Sequence, residues 1–112
     1  MKEINKTLNG ALSFCRCCNA YQLEFGNVFM CFHKSDFSVF QEYLKNIDAE
    51  ESVRVNEHKP FNRKIMLRFP IKNVFFCLNS QELEELRALV FLGKVFPKEY
   101  LLSPPFLSLS VN

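Results

Sequence analysis

The sequence predicts an α+β fold of internally duplicated ββα-ββα order, a mainly antiparallel sheet with two helices on one face. Three observations carry that expectation. Sliding the chain along itself by 46 positions lays Asn27-Val28-Phe29-Met30-Cys31-Phe32 over Asn73-Val74-Phe75-Phe76-Cys77-Leu78, with four identities and two apolar matches. Each copy then shows two short runs flanking a turn, as strands of a hairpin do. After each hairpin comes a stripe of apolar residues at helical spacing.

In the first copy, residues 21–25 alternate apolar and polar as Tyr, Gln, Leu, Glu, Phe, the period of a half-buried strand. Gly26-Asn27 supplies a tight turn, since both residues tolerate positive φ. Residues 28–32 return. Ser35 is expected to cap a helix whose face is Phe37, Phe40, Leu44 and Ile47, with Asp36 near its positive end.

The second copy runs through strand 65–69, a turn at 70–72 and strand 74–78. Asn79-Ser80-Gln81-Glu82 has the spacing of a capping box. Leu83, Leu86, Leu89 and Val90 form the inward face, and Gly93 is the expected stop. Residues 10–16 read as a further strand ahead of both copies. Residues 48–52 read as a polar linker, and 52–56 as one more short strand.

The 112 residues make one domain, 1–112, with repeats at about 20–47 and 66–93 and a tail at 94–112 packing on it. Apolar residues at 48% with only three Gly and five Pro exclude a disordered or collagen-like chain. Thirteen Phe and no Trp point to a phenylalanine-rich core. No apolar run is long enough to span a bilayer. The polar start MKEINKTLNG lacks the apolar middle of an export signal, so a cytoplasmic protein with reduced thiols is expected.

Hairpin geometry assigns the faces, because residues opposite one another point the same way. A two-residue turn pairs Phe25 with Val28, Leu23 with Met30 and Tyr21 with Phe32, all apolar and all on the core face. The outer face then holds Gln22, Glu24, Phe29, Cys31 and His33. In the second copy it holds Lys64, Met66, Arg68, Phe75 and Cys77. Phe29, Cys31, Phe75 and Cys77 form one apolar patch if their strands are neighbours, and such a patch needs a cover. The candidates are the tail, a second copy in a homodimer, or a ligand. Self-association is the expected function, without enzymatic activity.

Other chemistry is sparser. Cys15 and Cys18 form a Cys-x-x-Cys pair, and the hairpin could bring Cys31 and His33 to complete a zinc tetrad. Against zinc, Cys31 has a counterpart in Cys77 while Cys15 and Cys18 have none, so no metal or other cofactor is favoured. Cys31 with His33, or Cys77 with His58, could only loosely resemble a nucleophile pair. Glu84 and Glu85 read as a solvated helix face. The net charge of +2 names no partner, but residues 53–78 hold six cations against Glu57 alone. Lys64 and Arg68 interleave with Phe75, as a single-stranded nucleic acid site would need. Cations that guard a strand edge explain the pattern more simply, so nucleic acid is not favoured.

Several of these runs together carry a resemblance. Cys15 and Cys18, the run Tyr21-Gln22-Leu23-Glu24-Phe25-Gly26-Asn27, then Arg63-Lys64-Ile65 and Gln81-Glu82-Leu83-Glu84-Glu85-Leu86 resemble a family of small uncharacterised proteins from Bacteroidetes-type bacteria. The likeness covers about residues 8–91 and implies a bacterial cytosolic protein with no activity to carry over. It also makes Cys15 and Cys18 part of the family pattern, which strengthens a thiol or metal role.

Overall fold

A computed structural model of the protein describes residues 2–68 and 73–91. Its elements run β1 (Lys2–Lys6), β2 (Gly10–Cys15), β3 (Ala20–Phe25), β4 (Val28–His33), α1 (Lys34–Lys45), α2 (Ala49–Asn56), β5 (Ile65–Arg68), β6 (Phe75–Leu78) and α3 (Ser80–Val90). The chain is α+β. Its strands form two sheets, an antiparallel β1-β2-β3-β4 and a separate β5-β6 hairpin. The expected single sheet is therefore divided, with three helices where two were expected. The turn at 70–72, the stop at Gly93 and the tail lie outside the described residues.

The described residues fall into two units, 2–47 with 85–91, and 48–84. In the first, Gly26 turns at φ 62° and sets the anticipated register, Phe25 opposite Val28, Leu23 opposite Met30 and Tyr21 opposite Phe32. Leu23 and Phe25 are buried, whereas Phe29, Cys31 and His33 are exposed, so the faces follow the period of two. Residues 2–6 carry little apolar signal, yet they pair with β2 across an irregularity between Glu3 and Asn5. Gly10 is needed for space: a Cβ there would sit 2.8 Å from the Glu24 carbonyl oxygen and 2.7 Å from Leu89 Cδ2.

Helix α1 packs on the core face through Phe37, Phe40 and Leu44. Tyr21 stacks on Phe37 at 4.1 Å and Phe32 on Phe40 at 4.8 Å. The most deeply buried described side chains, however, are aliphatic: Leu12, Leu23, Leu44, Leu86, Leu89 and Val90 in this unit. The expected phenylalanine-rich core is thus an aliphatic centre beside an aromatic row. Ser35 does not cap α1. The helix starts at Lys34, directly on the end of β4, with His33 as an N-cap that makes no side-chain bond.

The second half of α3 completes this unit through polar contacts. Arg87, 2% exposed, donates from Nε to the Leu44 carbonyl at 2.9 Å and from Nη2 to the Ile47 carbonyl at 2.7 Å. Leu44 lies in the last turn of α1 and Ile47 just beyond its C-cap Asn46, where the helix end carries partial negative charge. Asn5 donates to the Ala88 and Leu89 carbonyls, and Gln41 to that of Val90. Glu85 accepts from the Thr7 hydroxyl, the Asn9 backbone N–H and the Asn9 amide. Glu84 is buried. The pair read as a solvated face is therefore not one: Glu85 meets long-range partners and Glu84 is withdrawn from solvent.

In the second unit, residues 49–56 form α2, not a linker and strand. Asp48 caps it by accepting from the Glu51 N–H at 3.1 Å, and Glu50 and Glu51 suit its positive end. The alternation of Val53 and Val55 that resembled a strand leaves both exposed on a helix. In the β5-β6 hairpin, Ile65 faces Leu78 and Leu67 faces Phe76. Exact superposition of the two copies would set Leu67 opposite Leu78. The difference is two residues, so the faces keep their assignment. The capping box forms as read: Glu82 accepts from the Asn79 N–H, and Asn79 accepts from the Glu82 N–H, both at 2.8 Å. Arg63 adds two bonds to the Glu82 carboxylate at 2.7 and 2.9 Å.

Two expected outcomes follow from these contacts. Arg87→Ala removes the guanidinium that bonds the Leu44 and Ile47 carbonyls and should lower unfolding stability by about 3 kcal/mol in urea titration. Arg87→Lys should recover little, since one ammonium does not reproduce the guanidinium fork. At Glu82, partial burial pushes the carboxyl pKa up, but the bonds from Arg63 and the Asn79 N–H outweigh it and hold it below the ordinary value. That stabilisation is present above the unfolded carboxyl pKa and is lost as pH falls through the folded one. Glu82→Gln should flatten the acid side of the stability–pH curve, and an unchanged acid limb would contradict the pairing.

Candidate functional site

The β2–β3 turn gathers thiols. Its residues 16–19 are closed by Asn19, whose φ of 54° lies in the left-handed region that Asn tolerates, and by a bond from the Asn19 N–H to the Arg16 carbonyl. Cys15 ends β2 and Cys18 folds back over it, with the two sulfurs 2.8 Å apart. Cys15 is half-buried, while Cys17 and Cys18 are exposed.

The two thiols differ electrostatically. A hydrogen bond from the Cys18 thiol holds the Cys15 pKa below its ordinary value, and the backbone N–H groups of Cys18 and Cys17 assist. Cys18 is pushed up by that same bond, then by desolvation, with smaller contributions from the sulfurs of Cys15, Cys17 and Cys31. Cys15 is thus the sulfur favoured as thiolate, and Cys18 the one that keeps its proton.

The zinc tetrad can be tested against this geometry. Two thiolates on one tetrahedral zinc, with bonds of about 2.3 Å, stand roughly 3.8 Å apart. Cys15 and Cys18 are closer than that. Across the sheet, Cys15 faces Ala20 and Ala20 faces His33, so a whole strand separates Cys15 from His33, and Cys31 pairs with Gln22 one row on. Among the described residues, no group of three or more Cys, His, Asp or Glu side chains is arranged to hold an ion.

Strand β4 is an edge of its sheet, and its outer row shows Phe29 at 63% exposure, with Cys31 and His33 also exposed. The opposite edge is β1, whose Lys2, Glu3 and Lys6 are charged. In the other unit, Phe75 is exposed and Cys77 half-buried. Because β4 and β6 lie in different sheets, the four residues do not form one continuous strand-to-strand patch. Arg68 stacks over the Phe75 ring at 6.0 Å. The Lys64 ammonium donates to the Lys59 and Phe61 carbonyls, so local backbone occupies it. His58 lies against Glu57 at 3.3 Å.

The model of a family of unknown function (DUF6686) matches residues 1–105. The chain belongs to that family. No curated protein and no solved structure matches it. This DUF6686 chain has no helix among its described residues long and apolar enough to cross a membrane.

Sequence reasoning placed Cys15, Phe29 and Cys31 on strands that the structure contains, left Cys18 between strands, and missed what sets these residues apart. The meeting of the two thiols depends on the turn closed at Asn19, and an Asn directly before an apolar-alternating strand was the available signal. The contrast between the two sheet edges could not emerge while β1 was unrecognised.

Proposed function

We infer that this DUF6686 protein is a small non-enzymatic cytoplasmic module that acts by self-association, two copies joining along β4. One observation carries the reading: the edge strand Val28-Phe29-Met30-Cys31-Phe32-His33 has no Lys, Glu, Asp or Pro, while the opposite edge is charged and irregular. Edge strands of proteins that stay apart carry such guards, and an unguarded apolar edge pairs. A second copy suits it because antiparallel pairing about a two-fold axis preserves the faces. With the axis at Met30, Phe29 stands opposite Cys31 of the partner subunit. With the axis at Cys31, Phe29 stands opposite His33 of the partner subunit.

The two ββα segments are read as copies within one domain. The buried helix positions support this, since Phe37, Phe40 and Leu44 shift by 46 residues onto Leu83, Leu86 and Val90.

Native mass spectrometry of the full chain tests the self-association. Wild type should appear at twice 13.2 kDa. Phe29→Asp, a change at an exposed position, should shift it to the monomer without loss of folding, whereas Phe75→Asp should leave the dimer. A wild-type monomer, or a dimer insensitive to Phe29→Asp, would remove β4 as the contact.

A further inference from the structure

We propose that Cys15 and Cys18 form a thiol–disulfide exchange site that takes low-molecular-weight disulfides as its substrate. The site lies at the β2–β3 turn, away from the centre of the β4 edge, and does not depend on the self-association reading. It rests on the short sulfur–sulfur approach, the tight turn that enforces it and the accessibility of the pair. At 2.8 Å the sulfurs are already within hydrogen-bonding reach, and a covalent bond needs them to close to about 2.05 Å. Both residues flank a turn whose backbone is set by Asn19, so the approach requires no movement of a strand. Cys18 is exposed, and a small disulfide can reach the pair from solvent.

The chemistry balances as follows. The Cys15 thiolate attacks one sulfur of R–S–S–R, the disulfide bond breaks, and R–S⁻ leaves to take a proton from water. Cys15 then carries a mixed disulfide. Cys18 loses its proton to solvent, attacks the Cys15 sulfur and expels the second R–S⁻, which is protonated in turn. Counting the proton that Cys15 releases to solvent in becoming the thiolate, the dithiol gives up two protons and two electrons, and the products are an intramolecular disulfide and two R–SH. The hydrogen bond between the sulfurs lowers the pKa of Cys15 and raises that of Cys18, which assigns Cys15 as the nucleophile and Cys18 as the thiol next in line to attack. Around the pair stand Arg16 and Cys17 in the same turn and His33 two strands away.

The test uses the reduced full-length chain and oxidised glutathione as probe, with alkylation of free thiols and peptide mass mapping. Wild type should lose alkylation at Cys15 and Cys18 together, with no glutathione retained and with reversal by dithiothreitol. Cys17, Cys31 and Cys77 should stay alkylatable. Cys18→Ser keeps a hydroxyl donor beside Cys15 and should trap glutathione on Cys15. Cys15→Ser should react at Cys18 about 10-fold more slowly at neutral pH. A stable glutathione adduct on the wild type, independent oxidation of the two thiols, or preferential reaction at Cys17 would overturn the proposal. So would a tightly held soft metal that blocks alkylation of both thiols until a chelator removes it.

Discussion

The first unit depends on one buried cation. Arg87 reaches the C-terminal end of α1 from a helix more than forty residues later, and its two bonds to the Leu44 and Ile47 carbonyls place it almost wholly out of water. A guanidinium removed from solvent is stabilising only where acceptors are already in position. The end of α1 and the residue past its cap offer them, and the helix end adds partial negative charge that favours a cation. The same segment of α3 then solves its own version of that problem. Its terminal carbonyls take donors from Asn5 and Gln41, and Glu85 binds the turn between β1 and β2. Neighbouring residues on one helix thus tie down β1, the first turn and α1.

Apolar side chains at Leu86, Leu89 and Val90 supply burial, while Glu85 and Arg87 supply register. Burial alone would permit α3 to slide by a turn at small cost, since Leu recurs along it. Directional bonds to fixed carbonyls and N–H groups penalise that slide. Gly10 has a related role: close approach of the β2 backbone to Leu89 holds only while no Cβ intervenes.

How much of this was legible follows from what each signal reports. Period-two alternation and the Gly26-Asn27 turn gave the β3-β4 register to the residue, since both are local. The Asn79–Glu82 capping box was equally local and formed as read. Ser35 failed because β4 runs directly into α1 and leaves no turn for a cap. Residues 49–56 failed because Val53 and Val55 imitate a strand, whereas the deciding cue was Asp48 three residues ahead of Glu51. Glu84 and Glu85 were misread as a solvated face, and Arg87 gave no signal. A charged side chain looks solvated in a single sequence until its distant partners are known. For the candidate site, residue types and faces were legible, but the thiol contact and the open edge are properties of pairing.

The outer face of the four-stranded sheet separates the two activities inferred for it. Row by row, Cys15 faces Ala20 and then His33 at one end, while Ala11 faces Glu24 and then Phe29 at the other. Ala20 stands between Cys15 and His33 in the end row, while Phe29 pairs with Glu24 four residues further along β3. Closing a bond between Cys15 and Cys18 constrains a turn that Asn19 has already closed, and it lies across β3 from the edge. Oxidation is therefore expected to change the turn without changing the ladder that β4 offers. The β4 edge gains its character from lacking charge, and the thiol pair gains its own from a single hydrogen bond. Neither requires the other, which is why one sheet can present both.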